Sequence, residues 1–96
     1  TGISGITAGK VGDRLRLIGK SRQVICITHL PQIAATADHH FLIRKKAEGT
    51  SVRTDVEMLD EAASVEELAR LLGGANVTER VMESAKELKE LAKCER

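Results

Sequence analysis

Hydrophobic positions change their spacing along this chain, and each change predicts a new element. Ala8, Val11, Leu15 and Ile18 recur at three- and four-residue intervals with Lys10, Asp13, Arg14 and Arg16 between them, the period of an amphipathic helix, and Gly19 supplies a stop. Thr7 is placed to cap that helix, after the loop Thr1-Gly2-Ile3-Ser4-Gly5, whose glycines permit unusual backbone angles. From Gln23 to Thr28 the period disappears. Gln-Val-Ile-Cys-Ile-Thr is a continuous β-branched run, the pattern of a strand buried on both faces in a parallel sheet. Pro31 then opens a short Ala-rich helix through about Ala37, with proline at a first-turn position where its missing N–H costs little.

Alternation follows. His40 to Lys46 and Ser51 to Leu59 flank Ala47-Glu48-Gly49-Thr50. In the second run Val52, Thr54, Val56 and Met58 alternate with Arg53, Asp55 and Glu57, which predicts a half-exposed antiparallel hairpin over 40–59. Ser64 with Glu67 fits a capping box for a helix to Leu72, closed by Gly73-Gly74. A last helix starts near Thr78 and carries the apolar stripe Val81, Ala85, Leu88 and Ala92, so the terminal helices occupy 64–94. The fold class is α/β: a buried parallel-type strand, a β-hairpin and flanking helices. A strand of that kind needs parallel neighbours that the sequence does not contain. Residues 1–96 therefore read as a single partial domain whose missing strands come from elsewhere.

Composition narrows the function classes. The chain is 42% hydrophobic and 30% charged with one proline, which suits a globular piece and excludes a disordered tail or collagen-like repeat. Phe41 is the sole aromatic residue, so the core is aliphatic and the stacking platforms used for single-stranded nucleic acid are missing. A formal net charge of +1 provides no global field to draw in a polyanion. Locally, Lys10, Arg14, Arg16, Lys20 and Arg22 face one acid, Asp13, whereas Asp55 to Glu67 holds acids and no base. Such runs are ordinarily solvated faces. Cys26 and Cys94 lie far apart in unlike settings and make no disulfide framework. No segment approaches the roughly 18 apolar residues of a membrane span, and no signal peptide is visible. A reducing cytoplasm and no membrane partner are expected.

Chemistry concentrates at Thr28-His29-Leu30-Pro31, where a strand runs into a histidine and then a proline-started helix. In open α/β sheets ligands bind outside the carboxyl ends of strands. There His29 is able to donate to a phosphate oxygen or orient a water, or equally to act as a capping or packing residue. Gly2-Ile3-Ser4-Gly5 lacks the Lys-Ser/Thr ending of a phosphate-cradling loop and the third glycine of a dinucleotide loop, so on spacing alone it is an ordinary loop before a helix. Adjacent His39 and His40 on a strand point to opposite faces, and no Cys-x-x-Cys or His-x-x-x-His pair exists, so no metal site is assigned. Ser4, Cys26 and His29 form no recognisable nucleophile elbow.

Three blocks together carry a resemblance: Thr1-Gly-Ile-Ser-Gly5 before a helix, Gln23-Val-Ile-Cys-Ile-Thr-His-Leu-Pro-Gln-Ile-Ala-Ala35 followed by His39-His40-Phe41, and Glu67-Leu-Ala-Arg-Leu-Leu-Gly-Gly74. In this order and spacing they resemble the C-terminal end of the RecN family of bacterial DNA repair proteins, SMC-like members of the ABC ATPase superfamily. The resemblance covers nearly the whole chain. It implies a C-terminal fragment of a P-loop ATPase head. Thr1, Gly2, Ile3, Ser4 and Gly5 match the D-loop at the interface of two heads sandwiching ATP. His29, in the segment 23–35, matches the switch histidine that reaches the γ-phosphate. It further implies ATP and Mg²⁺ as cofactors of the full-length protein, the rest of the head and a second head as partners, DNA contacted through the full-length protein, and a nucleoid-associated location.

The sequence has no Gly-x-x-x-x-Gly-Lys-Ser/Thr loop, signature motif or heptad run. The fragment alone is therefore expected to be inactive, and no nucleotide or metal is expected on it. The family often carries an arginine about where Ser64 stands, so no role is borrowed from that arginine. Two other readings stay open: an independent module whose Lys10 to Arg22 helix touches DNA, and a purely structural fragment.

Overall fold

The computed structural model describes residues 4–94. Its elements run in the order α1 (Gly5–Gly19), α2 (Pro31–Ala34), β1 (His40–Glu48), β2 (Ser51–Leu59), α3 (Glu61–Gly73) and α4 (Glu79–Cys94), the mixture of helix and strand expected of an α/β chain.

Helix α1 starts three residues earlier than a Thr7 cap requires. Ser4 is the cap: extended at φ −62 and ψ 159, it accepts a hydrogen bond from the Thr7 N–H at 3.2 Å, and its own hydroxyl donates to Thr7 Oγ1 at 3.0 Å. The first turn leaves N–H groups without intrahelical acceptors, and a short side-chain oxygen just before it fills that need. The buried stripe of α1 is Ala8 and Gly12, while Ile18 at its end is exposed.

The core lies where α2, α3 and α4 meet. Ala34 and Ala35, Val65, Leu68 and Ala69, and Ala85 and Ala92 are buried together, with Leu71, Val81, Met82 and Leu88 packed partly against them. Alanine dominates, and Leu68 is the one large side chain fully buried among the described residues. Small side chains let the helices approach closely, so the aliphatic core is tight and thin. The α4 stripe read from the sequence supplies one wall of it.

β1 pairs antiparallel with β2 from His40↔Leu59 through to Glu48↔Ser51. The hairpin is thus longer and its loop shorter than expected. Gly49 and Thr50 alone form the loop; Gly49 has φ +61 while among the described residues no non-glycine has a positive φ, the II′ pattern whose twist suits two flanking strands. Phe41, Ile43, Val52, Val56 and Met58 share one face, and all are exposed. On the opposite face His40, Leu42 and Leu59 are partly covered at the end next to α3.

The run 23–28 departs from the expected buried strand. It belongs to no ladder, since the sheet among the described residues contains only β1 and β2, and Ile25 and Ile27 are 84% and 86% exposed. A central parallel strand satisfies its N–H and C=O groups on neighbouring strands. Without neighbours the pattern forms an extended, uncovered segment.

Capping of α3 also differs. Asp60, directly after β2, accepts from the Ala63 N–H at 2.8 Å. Ser64 lies inside the helix and is buried, and Glu67 pairs with Arg70 instead of reaching back to a cap. The expected close does hold: Gly74, at φ +62, follows the last helical residue and its N–H bonds to the Arg70 carbonyl at 2.8 Å. Thr78 opens α4, accepting from the Val81 N–H at 3.3 Å with its hydroxyl and from the Met82 N–H at 3.0 Å with its carbonyl. Among the described residues no helix is long and apolar enough to cross a membrane.

Candidate functional site

His29 sits at the tip of a turn built by its neighbours. The Thr28 hydroxyl accepts from the Leu30 N–H at 3.0 Å, closing a short side-chain turn around the histidine. Pro31 then occupies the first turn of α2, and the Ile33 and Ala34 N–H groups bond to the Leu30 carbonyl at 3.1 and 3.0 Å. Pro31, Ile33 and Ala34 are buried while His29 is exposed. A firmly seated helix thus presents an imidazole that makes no hydrogen bond or ion pair to another described residue.

Of the loop residues singled out with it, Thr1, Gly2 and Ile3 lie outside the described residues. Ser4 caps α1 and Gly5 is its first residue. The structure connects Ser4 and Gly5 with the His29 turn through the helices that follow each of them. A Cβ placed on Gly5 would stand 3.4 Å from Gln32 Nε2, and one placed on Gly12 would stand 2.9 Å from Thr36 Cγ2, so α1 lies directly on α2 and the turn after it.

A second polar constellation had no sequence signature. His40 Nδ1 lies 2.9 Å from Ser64 Oγ, and Lys89 Nζ donates to the same oxygen at 2.9 Å. Beyond them Glu61 takes Lys93 at 2.8 Å and Lys89 at 3.7 Å. His40, Ser64, Lys89 and Glu61, with Asp38, His39 and Asp60, line a polar cleft of about 140 Å³. Burial pushes the His40 imidazole below its ordinary pKa and the Lys89 ammonium adds to the effect, while Glu67 opposes it. The hydrogen bond from Lys93 holds the Glu61 carboxyl below the usual carboxylate range. One hint was available: Lys89 falls four residues after Ala85 and three before Ala92, on the buried stripe itself. Buried lysines are seldom left unpaired.

The other expectations divide. Cys26 is a free, exposed thiol, and the Cys94 side chain lies outside what is described. Among the described residues no group of His, Cys, Asp and Glu is arranged to hold a metal ion. Arg16 turns from the basic run of α1 toward Asp13 and the Ala92 carbonyl, tying α1 to α4.

No family model matches the chain. Individual proteins do. It is 47% identical over 92 residues, 96% of its length, to the DNA repair protein RecN of Halalkalibacterium halodurans. It is 46% identical over 87 residues, 91% of its length, to that of Vibrio cholerae, and 39% identical over 95 residues, 99% of its length, to that of Streptomyces coelicolor. The chain belongs to the RecN family. It corresponds to a C-terminal region of these proteins and spans about 16% of the length of the curated relatives it matches.

Within this RecN segment the two polar features are physically distinct. His29 is exposed at a turn, with its ring available to a ligand. His40, Ser64 and Lys89 are partly or fully buried and satisfy one another, and among the described residues no buried side-chain nitrogen or oxygen lacks a hydrogen-bond partner. Ser64 is buried, and the cation beside it is the Lys89 ammonium from α4.

Proposed function

We propose that this segment is the nucleotide-switch and head-interface part of a RecN-type ATPase acting in recombinational repair of DNA double-strand breaks. Identity of 39–47% to RecN proteins across nearly the whole chain carries the reading, and the exposed imidazole of His29 on an anchored turn supports it. In this reading His29 contacts the γ-phosphate and steadies the attacking water, while Thr1, Gly2, Ile3, Ser4 and Gly5 form the D-loop facing a second head.

The residues present fit a phosphate contact better than a metal site. An imidazole is able to donate to a phosphoryl oxygen, whereas the described residues assemble no carboxylate set for Mg²⁺. When bound, MgATP supplies the phosphoanhydride whose hydrolysis drives the cycle. The chain's own part is to place a hydrogen-bond donor where negative charge develops, and phosphoryl transfer responds mainly to such positioning. The remainder of the head supplies the phosphate cradle and metal ligands, and strands that pair with Val24 to Ile27 and cover them. Two such heads close on ATP, DNA is engaged by the full-length protein, and the location is cytoplasmic, at the nucleoid.

The test is His29→Ala in the full-length protein. ATP turnover should fall on the order of a hundredfold, with the melting temperature unchanged because the side chain is exposed. Unchanged turnover removes the assigned role.

A further inference from the structure

Gly12 lies in the middle of α1, where glycine is disfavoured relative to alanine. Packing accounts for it. Gly12 is buried, and a Cβ built on it would stand 2.9 Å from Thr36 Cγ2 and 3.3 Å from both the Gln32 carbonyl oxygen and Thr36 Oγ1. These atoms do not yield easily: the Gln32 oxygen is backbone, and the Thr36 hydroxyl donates to the Ile33 carbonyl at 2.7 Å, which fixes the rotamer of a β-branched side chain and so its methyl. Gly9, earlier in the same helix, would have nothing within 4 Å of its Cβ, so the tight seat is local to Gly12. The same contact surface reaches the start of α1, where Gln32 Nε2 lies 3.4 Å from the Cβ position of Gly5.

Each of these helices leaves one of the two functional loops. α1 begins at Gly5, the last residue of the Gly-Ile-Ser-Gly loop, and α2 begins at Pro31, directly after the His29 turn. We propose that Gly12 is a positioning residue: its lack of a side chain seats α1 directly on Gln32 and Thr36, so that Ser4 and Gly5 at the start of α1 and His29 before α2 are held as one unit and set together for ATP hydrolysis. This rests on the roles given above to His29 and the loop. Close-packed contacts transmit small displacements because they leave no free volume to absorb them, and catalytic geometry is sensitive to shifts on the ångström scale. Gln32 belongs to the same device, touching α1 at both ends of the contact.

The test uses the full-length protein with MgATP. Gly12→Ala should lower kcat about tenfold or more while KM stays within about threefold, since positioning is disturbed and ground-state binding is not. Adding Thr36→Ser removes the clashing methyl and keeps the hydroxyl bonded to Ile33, and the double variant should recover most of the lost turnover. Gly9→Ala should turn over ATP as the unmodified protein does. If Gly12→Ala does not fold, Thr36→Ala decides, because it removes both side-chain atoms that face Gly12 without adding an atom to α1 and should likewise lower kcat ahead of KM. Wild-type kcat in Gly12→Ala, or in Thr36→Ala, overturns the proposal, as does a double variant no better than Gly12→Ala alone. A fully active Gly12→Ala enzyme beside an inactive His29→Ala enzyme rejects the coupling and leaves the histidine's role standing. An active His29→Ala enzyme removes the reading on which both depend.

Discussion

Lys89 of α4 donates to the Ser64 hydroxyl of α3 across 2.9 Å, with 8% and 2% of the two residues exposed. An ammonium has no acceptor, so the serine oxygen accepts from Lys89, and the same oxygen meets His40 Nδ1 at 2.9 Å. One hydroxyl fastens the base of the hairpin to both terminal helices.

Ser64→Ala takes the acceptor from a buried ammonium and the hydrogen-bond partner from a half-buried ring. Leaving such groups unmatched costs about 1–3 kcal/mol, a loss that urea unfolding should register. Lys89→Met, which removes the charge and keeps the stem, should cost less than Ser64→Ala.

Acid should loosen the same contact. Because burial and Lys89 lower the His40 pKa in the folded chain, the unfolded state binds the proton more readily. The stabilising contribution is complete above the ordinary value of 6.5, shrinks as pH falls through it, and is lost once pH passes the lowered folded value. Glu61, whose pKa is also lowered, contributes in the more acidic carboxylate range, so its window is separate. Unfolding free energy followed from pH 8 to 5 should decline below about 6.5, and His40→Gln should flatten that decline.

Gly74 holds φ +62 with ψ −127 at the close of α3, a backbone region open essentially to glycine alone. Gly74→Ala should cost on the order of 1–3 kcal/mol, measurable as a lowered melting temperature. Gly9→Ala, by contrast, adds a methyl to open space in a helix and should stabilise the chain by up to about 1 kcal/mol.

Ile25→Ser and Ile27→Ser offer a comparison between the chain and its parent. Both side chains are more than four fifths exposed, so in the 96-residue chain each change should shift stability by less than about 0.5 kcal/mol. In the full-length protein, where partner strands would cover them, each should cost about 2–5 kcal/mol. Equal, small effects in both settings would remove the covering strands from the proposal.

Local signals were legible wherever a residue acts on its near neighbours. Pro31 opening α2, Thr78 opening α4, Gly73-Gly74 closing α3 and the alternation of the hairpin are short-range consequences of φ restriction, capping and side-chain period. The two cap errors share a cause. Thr7 and Ser64 have the right chemistry, but Ser4 and Asp60 have it too and stand nearer the start of the helical backbone, so the earlier residue meets the free N–H groups. The turn that carries His29 into α2 was readable from Thr28-His29-Leu30-Pro31, because it is made by adjacent residues.

Sequence by itself determined the helix and hairpin segments, the aliphatic character of the core and the family. Tertiary structure alone decided three things: that 23–28 lies uncovered, that Ser64, His40 and Lys89 meet, and that Gly12 is the seat of α1 on α2. Each depends on groups distant along the chain. A strand is completed only by neighbours that hydrogen-bond to it, a lysine is buried only where another element brings its acceptor, and a glycine is required only where a second backbone comes too close for a Cβ.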